Sequence, residues 1–187
     1  MSSHQDERDL ILRAKEDPEA FGELYEKYVD RIYNYHYRHT SNRVEAEDLT
    51  SRTFYRALRS LHGYRVTEAP FQAWLFRIAH NLVVNWYRDH SSRQMVSVDA
   101  EYAMPLPAQA ASPEARVATT EMQQALIEVV ADMPEDRKTL LILKFVEHMT
   151  NAEIGEVLGR TEGAIKALYH RTLISLRRAM QEGAGDV

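Results

Sequence analysis

The chain has 187 residues, 44% of them apolar, which is enough to bury one large core or two small ones. It contains no cysteine, which excludes disulfides, thiolate zinc sites and thiol nucleophiles. No apolar run approaches the ~20 residues that span a bilayer, and the start MSSHQDERDL lacks the basic and apolar parts of a signal peptide. We therefore expect a cytoplasmic protein that does not insert into a membrane.

The net charge of -5 is distributed unevenly. Residues 1–30 carry nine acidic and four basic side chains, whereas residues 31–93 carry ten arginines and five acids. Residues 160–178 carry five basic side chains and one acid. Two basic segments on an acidic chain indicate a protein that contacts phosphates in defined places.

Glycine and proline are scarce, and the apolar residues recur at helical spacing, so the sequence predicts an all-α fold. The first helix is predicted from Asp17, as N-cap, to Thr40, with Pro18 in its first turn. The second runs from about Val44 to Leu61. Their inner faces are predicted to comprise Phe21, Leu24, Tyr25, Tyr28, Ile32 and Tyr35 in the first helix, and Ala46, Leu49, Thr53, Phe54, Ala57, Leu58 and Leu61 in the second.

The third predicted helix occupies APFQAWLFRIAHNLVVNWYRDH and ends near Ser91. Its apolar face comprises Trp74 or Leu75, with Ile78, Leu82 and Trp86. Its other face carries side chains that can donate hydrogen bonds, namely Arg77, Asn81, Asn85 and Arg88. For this helix alone, simple solvation of that second face explains the pattern equally well.

The stretch QMVSVDAEYAMPLPAQAASPEA has three prolines, three charged residues and no sustained periodicity, which is typical of an extended linker. We therefore predict two small helical domains, residues 1–93 and 113–187, joined by a linker at 94–112. A helix is expected through Val117 to Val130. Pro134 then suits the first position of another helix, whose inner face would contain Leu140, Leu141, Leu143 and Phe145.

The segment MTNAEIGEVLGRTEGAIKALYHRTLISLRRAM predicts a helix-turn-helix. Thr150 and Glu153 form a capping box, the short helix ends near Gly159, and Thr161 begins the next one. The inner residues are Ile154, Val157 and Leu158, then Ile165, Leu168 or Tyr169, Thr172 and Leu176. Thr161, Glu162, Lys166 and His170 would point outward, and Arg160 and Arg171 could bind phosphates on either side.

Two other chemistries find little support in the sequence. His36, His39 and His80 could be metal ligands, but no pattern such as HExxH accompanies them, so we expect neither a metal nor a cofactor. No glycine-rich phosphate-binding loop is present, and nothing indicates a catalytic nucleophile. We therefore expect that the protein is not an enzyme.

Three motifs follow one another along the chain: EAEDLTSRTFYRAL, APFQAWLFRIAHNLVVNWYRDH and MPEDRKTLLILKFVEHMTNAEIGEVLGRTEGAIKAL. In this order they resemble the bacterial RNA polymerase sigma factors of the extracytoplasmic-function (ECF) group, from about Pro18 to Met180. The resemblance implies a protein that binds core RNA polymerase and directs promoter recognition, promoter melting and transcription initiation at a specific gene set. It also implies an anti-sigma factor as a further partner.

The resemblance assigns roles to three sets of residues. The beta-prime clamp helices of the polymerase would contact Asp48, Leu49, Thr53, Phe54 and Arg56. The promoter minus-10 element would contact Tyr64, Arg65, Phe71, Arg77, Asn81, Asn85, Trp86, Arg88 and Arg93, with Trp86 or Tyr87 stacking on an unpaired base. The minus-35 element would contact Arg160, Thr161, Glu162, Lys166, His170 and Arg171.

The sequence departs from the family pattern at two places. Ser51 and Arg52 replace the usual Gln-Glu or Gln-Asp, which reverses one charge near the expected polymerase contact. Leu168 and Leu173 stand where basic residues are common, which implies fewer phosphate contacts or a different promoter geometry. Two other hypotheses remain: a helix-turn-helix regulator that binds duplex DNA without polymerase, and a metal-dependent hydrolase that uses the three histidines.

Overall fold

The computed structural model describes residues 2–66, 70–90, 129–130 and 133–183. These residues form helices joined by short connections and contain no strand, which confirms the all-α fold. Within the same ranges, no helix combines the length and the apolar character needed to cross a bilayer. The chain divides into two compact units, the first built mainly from the N-terminal half and the second mainly from the C-terminal half.

Among its described residues, the N-terminal half contains four α-helices: α1 (Ser2–Ala14), α2 (Pro18–Thr40), α3 (Arg43–Ser60) and α4 (Phe71–His90). A single 3-10 turn, Leu61–Gly63, follows α3. Helix α2 packs against α1, α3 and α4, and its Tyr28, Ile32 and Tyr35 are among the most deeply buried side chains. Helices α2, α3 and α4 confirm the predicted elements, whereas α1 was not predicted.

Local capping fixes where α2 and α3 begin. The side chain of Asp17 accepts a hydrogen bond from the Glu19 N–H at 2.9 Å, and Pro18 is the first helical residue, as predicted. Helix α2 ends at Thr40 and is followed by Ser41, whose backbone is left-handed with φ 48°. Asn42 then caps α3 by accepting from the Glu45 N–H at 3.2 Å. Two residues are therefore enough to turn the chain from α2 into α3.

Two residues of the predicted inner faces lie at the surface of the N-terminal half. Tyr25 and Leu58 are exposed, although their neighbours Leu24 and Ala57 are buried. Both sit at the edge of their apolar stripe, where helical spacing alone does not determine which residues a neighbouring helix covers. The predicted stripes are therefore correct at their centres and wrong at these two edges.

The C-terminal half contains α5 (Glu135–Leu141), α6 (Asn151–Leu158) and α7 (Glu162–Gly183). Pro134 precedes α5 and does not occupy its first position, so the predicted start was one residue early. The chain continues from α5 as a π-helical turn, Ile142–Val146, in which the Glu147 N–H donates to the Ile142 carbonyl at 3.1 Å. The wider turn rotates the following side chains, and Phe145, predicted to be buried, is exposed.

The predicted linker, residues 94–112, lies outside the described residues. Most of the helix expected between Val117 and Val130 also lies outside them, although residues 129 and 130 are helical. The proposed domain boundaries therefore stay predictions.

Candidate nucleic-acid interface

Helix α4 presents one buried face and one exposed face. Leu75 and Leu82 are buried, and Ile78 is partly buried, which confirms the predicted inner side. Arg77, Asn81 and Arg88 are exposed on the other side, whereas Asn85 is only half-exposed. The exposed positions recur at intervals of four, three and four residues, namely Arg77, Asn81, Val84 and Arg88, and we call them the outer row of α4.

Val84 was not predicted as a member of this row. Its side chain is 48% exposed, and its neighbours in the row are Asn81 one turn before and Arg88 one turn after it. The outer row therefore combines two guanidinium groups, an amide and one β-branched apolar side chain. The amide and guanidinium groups can bind base edges and phosphates, and the valine can contact only apolar groups such as a thymine methyl.

Trp86 does not offer an exposed ring for base stacking. Its side chain is 7% exposed and packs with Leu49 and Leu82, and its indole N–H donates to Glu45 Oε2 at 2.8 Å. Tyr87 is partly buried against the same cluster and donates to the carbonyl of His39 at 2.6 Å. The predicted contact of Trp86 with the minus-10 element stays a prediction. The helical pattern places Trp86 on the apolar face, and the structure agrees.

Tyr64, before the loop that leads to α4, and Phe71 and Trp74, in the first turn of α4, form an aromatic cluster with Tyr28 of α2. The rings of Tyr64 and Trp74 have centroids 4.8 Å apart, and Phe71 lies 5.6 Å from Tyr64 and 5.7 Å from Tyr28. Tyr64 and Phe71 are buried in this structure, and their predicted contact with the minus-10 element stays a prediction. Burial raises the pKa of Tyr64, and the Glu7 carboxylate adds to that rise.

Other residues assigned to the minus-10 element differ in exposure. Arg65 is exposed, next to the aromatic cluster, and Trp74 is half-buried at its edge. Trp74 was not among the predicted site residues because its position between two faces of the helix made its orientation ambiguous. Residues 67–69 and Arg93 lie outside the described residues.

The residues of α3 that were assigned to the polymerase contact form two groups, one exposed and one buried. Asp48 and Arg56 are exposed, whereas Leu49, Thr53 and Phe54 are buried in the first unit. Thr53 Oγ1 donates to the Leu49 carbonyl at 2.8 Å and lies 2.9 Å from His36 Nε2. The side chains of these three residues are used inside the fold, and their predicted contact with the polymerase stays a prediction.

An exposed strip of α3 lies beside this core and comprises Asp48, Arg52, Tyr55 and Arg59. Tyr55 is 61% exposed, and its hydroxyl accepts a hydrogen bond from Arg59 at 3.3 Å. Arg52 forms an ion pair with Asp48 at 3.3 Å. Tyr55 was missed because it was not among the matching family positions. A large aromatic side chain exposed among charges is the kind of residue enriched in protein interfaces.

Helices α6 and α7 form the predicted helix-turn-helix. The capping box is present in both directions: the Thr150 N–H donates to Glu153 Oε2 at 2.6 Å, and the Glu153 N–H donates to Thr150 Oγ1 at 3.2 Å. Gly159 adopts φ +64°, as expected at the end of α6. Thr161 accepts from the Ala164 N–H at 3.2 Å and caps α7.

Gly155 is a requirement of this turn that sequence analysis missed. A Cβ atom at this position would lie 2.6 Å from the Arg160 carbonyl oxygen, and the Arg160 N–H donates to the Gly155 carbonyl at 2.9 Å. The chain therefore returns so close to α6 that only glycine fits without a shift. Because Gly155 lies inside a helical pattern, nothing in its local spacing indicated this close approach.

The N-terminal part of α7 is the exposed part of the motif. The residues predicted to point outward, Thr161, Glu162, Lys166 and His170, are all exposed, as are Arg160 and Arg171. Lys166 pairs with Glu162 at 2.7 Å, and Arg160 pairs with Asp136 at 3.4 Å. Leu168 is buried in the motif's core, so its departure from the family pattern serves packing, whereas Leu173 is partly exposed.

The three histidines considered as metal ligands have separate roles. His36 is fully buried, and burial, with a smaller contribution from His39, lowers its pKa to about 3. His80 Nδ1 lies 3.1 Å from the Tyr35 hydroxyl. Among the described residues, no group of three or more His, Cys, Asp or Glu side chains is placed to hold a metal ion.

Comparison with known families finds two matches, one in each half of the chain. Residues 24–93 match the family described as Sigma-70 region 2, and residues 123–176 match Sigma-70, region 4. The first match contains α3 and α4, and the second contains the helix-turn-helix.

Individual relatives extend these matches over most of the chain. The ECF RNA polymerase sigma factor BldN of Streptomyces coelicolor is 34% identical over 94% of this chain, which spans 66% of that protein's length. SigW of Bacillus subtilis, also an ECF RNA polymerase sigma factor, is 29% identical, with 90% of this chain and 92% of SigW covered. The fold resembles that of RpoE, a sigma factor solved in complex with the anti-sigma factor NepR from Bartonella quintana, with a TM-score of 0.59 at 19% identity. That likeness covers 86% of this chain and 96% of RpoE.

Proposed function

Because the chain belongs to the extracytoplasmic-function group of RNA polymerase sigma factors, we propose that it binds core RNA polymerase and directs transcription initiation at a specific set of promoters. The single observation that carries this function is the pairing, on one chain, of a helix with an exposed polar row and a helix-turn-helix with an exposed N-terminal end. The protein acts in the cytoplasm and contributes binding and positioning, without a catalytic step of its own.

Three segments divide this work. Residues 1–93 bind the polymerase and the minus-10 element, residues 94–112 are the linker, and residues 113–187 bind the minus-35 element. The separation of the described helices into two units supports this division.

The polymerase contact is the exposed strip of α3, with Asp48, Arg52 and Tyr55 at its centre and Arg56 beside it. Leu49, Thr53 and Phe54 lie behind the strip and hold it in place through the core. The target is the beta-prime clamp helices. Asp48 and Arg52 pair with each other, and the 61% exposed ring of Tyr55 supplies apolar contact area. An anti-sigma factor, the third proposed partner, would compete for the same strip.

The minus-10 contact is the outer row of α4 together with Arg65. Arg77 and Arg88 bind phosphates, and Asn81 binds base edges of the melted strand. Asn85 is half-buried and supports the row from its side, and Arg93 would extend the basic surface beyond the described helix. Tyr64, Phe71 and Trp86 act through the shape they give to the loop and the helix.

The minus-35 contact is the N-terminal end of α7, placed in the major groove of duplex DNA. Glu162 and Lys166 lie on the exposed side one turn apart and form base contacts together with Thr161 and His170. Arg160 and Arg171 bind phosphates. The Lys166–Glu162 ion pair uses one N–H of the ammonium and one carboxylate oxygen, so both side chains retain groups that can bond to a base.

The proposal is tested by reconstituted transcription. The purified protein is mixed with core polymerase and genomic DNA fragments, and the transcripts are sequenced. We expect transcripts that share a start-site pattern and stable binding to core polymerase. Absence of both results contradicts the proposal. Specific duplex binding without polymerase would support the helix-turn-helix regulator instead.

Two variants assign the DNA contacts within the first unit. Asn81→Ala and Arg88→Ala are expected to impair promoter opening while core binding remains intact, since both side chains are exposed on α4. A loss of core binding in either variant would show that the outer row faces the polymerase.

A further inference from the structure

We propose that Lys15 is a positioning residue for minus-10 recognition, an inference that rests on the proposed function. The Lys15 ammonium donates to the Tyr64 carbonyl oxygen at 2.6 Å, although the two residues are 49 positions apart. Hydrogen bonds from a charged donor are shorter and stronger than neutral ones. Lys15 precedes every residue assigned above to polymerase or DNA, and it bonds to the residue from which the minus-10 loop starts.

Lys15 is held in a defined place by the short connection between α1 and α2. The N–H groups of Glu16 and Asp17 both donate to the Arg13 carbonyl, at 3.0 and 2.9 Å. Asp17 then caps α2, and Ala14, the residue before Lys15, is buried. The lysine stem therefore starts from a backbone that is fixed on both sides.

Helix α1 is fixed to α2 by a second set of contacts centred on Glu7. Its Oε1 accepts hydrogen bonds from the Tyr28 hydroxyl and from Lys27 Nζ, both at 2.6 Å. Burial, with the hydrogen bond from Tyr28 to Glu7, raises the pKa of the Tyr28 phenol. Ile11 is buried one turn further along α1. The buried Tyr28, through its bond to Glu7, and the buried Ile11 anchor the helix that ends beside Lys15, whereas the Lys27 side chain is 44% exposed and its ion pair adds little.

Tyr64 is bonded at three points. Its N–H donates to the Leu61 carbonyl at 3.0 Å, its ring packs against Phe71 and Trp74, and its carbonyl accepts from Lys15. Its backbone is extended, with φ -65° and ψ 128°. The exposed residues Arg65 and Val66 follow directly. The carbonyl bond fixes the orientation of the peptide that joins Tyr64 to Arg65.

The orientation of that peptide determines the direction of the Arg65 side chain. Loss of the Lys15 hydrogen bond allows the peptide to rotate, and Arg65 then changes direction. The ring of Tyr64 stays buried in that case, because the aromatic cluster does not involve Lys15. The inferred effect is therefore loss of minus-10 selectivity with little loss of stability. Helix α1 thus contributes to promoter choice through the loop start, without contacting DNA itself.

The test compares Lys15→Met with Lys27→Met. Both replacements remove an ammonium that makes a 2.6 Å hydrogen bond within the first unit, but the Lys27 bond goes to Glu7 and leaves Tyr64 untouched. Transcription is measured from a promoter identified by transcript sequencing and from the same promoter with its minus-10 element altered. We expect Lys15→Met to lower the ratio of the two rates by about tenfold, the effect of one charge-assisted hydrogen bond. Core binding should not change.

Each outcome bears on the inference. An unchanged ratio in Lys15→Met, or an equal decrease in Lys27→Met, overturns it, since the second result indicates general destabilisation. Lys15→Arg, which retains a cationic donor, should recover part of the ratio. Hydrogen exchange of the Arg65 and Val66 amides in the free protein should quicken in Lys15→Met, with α2 and α4 unchanged. If the wild-type protein itself makes no promoter-specific transcripts, the proposed function fails, whatever the variants do.

Discussion

The indole N–H of Trp86, near the end of α4, donates to Glu45 Oε2 in the first turn of α3 at 2.8 Å. The imidazole of His90 stacks on the same indole with ring centroids 4.5 Å apart, and His90 Nε2 lies 3.9 Å from Glu45 Oε1. These contacts join the proposed DNA-binding helix to the proposed polymerase-binding helix. Glu45 lies in the first turn of α3 and is therefore both a first-turn acid and a tertiary contact.

Replacing Glu45 by alanine should lower the free energy of unfolding by about 1–2 kcal/mol, because the partly buried Trp86 N–H loses its acceptor. Glu47→Ala is the matched control, since Glu47 is an exposed acid two residues away in the same helix, and its cost should stay within about 0.5 kcal/mol. Urea denaturation of the full chain measures both. Equal costs would show that the Trp86 contact contributes no stability.

The buried His36 should make the first unit sensitive to acid. Its pKa is about 3 in the folded protein, against 6.5 as the ordinary value, so between these limits the unfolded chain binds a proton that the folded chain does not. The stabilisation is complete above pH 6.5 and is lost as the pH falls towards 3, at up to about 1.4 kcal/mol per pH unit. His36→Gln, whose amide can donate to Thr53, should reduce this slope. Parallel curves of unfolding free energy against pH for the two proteins would contradict the assignment.

Tyr55 and Leu49 on α3 should separate binding from stability. Tyr55→Ala removes an exposed ring and should weaken core-polymerase binding by about tenfold with a stability change within about 0.5 kcal/mol. Leu49→Ala opens a cavity in the core and should cost about 2–5 kcal/mol of unfolding free energy. Affinity for core polymerase and denaturation are measured on each variant. Unchanged affinity in Tyr55→Ala would place the polymerase contact elsewhere.

Val84 should contact a thymine methyl group within the melted minus-10 strand. Promoter DNA with uracil in place of thymine in that strand lacks only the methyl, so wild-type protein with polymerase should form open complex less readily on it, by about threefold to tenfold. In Val84→Ala the thymine and uracil promoters should behave alike. If the uracil effect is the same in both proteins, Val84 does not contact the methyl.

Replacement by alanine should change the stability of the helix-turn-helix in opposite directions at two of its glycines. Gly155→Ala forces a Cβ into the Arg160 carbonyl and should destabilise the motif by about 2 kcal/mol or more. A Cβ at Gly163 would meet nothing within 4 Å, so Gly163→Ala should stabilise α7 by up to about 1 kcal/mol. Hydrogen exchange of the α7 amides measures both effects. Equal protection in the two variants would remove the special role of Gly155.

The sequence was most reliable where the relevant contacts are local. The Asp17 cap, the Thr150–Glu153 capping box and the left-handed Gly159 each involve residues within a few positions, so residue type and spacing were sufficient. The exposed end of α7 followed from the same helical spacing. The π-helical turn after α5 was not predicted, and for that reason Phe145 was placed on the wrong side.

By itself, the sequence determined α2, α3, α4, the helix-turn-helix and the family, because hydrophobic period, capping chemistry and motif order are all properties of nearby residues or of their order along the chain. Only the tertiary structure decided that Tyr64 and Phe71 are buried, that Tyr55 and Val84 are exposed, that Trp86 bonds to Glu45, and that Lys15 holds Tyr64. The physical reason is distance along the chain. Trp86 meets Glu45 across 41 residues and Lys15 meets Tyr64 across 49, and no local pattern specifies which side chains such contacts bring together.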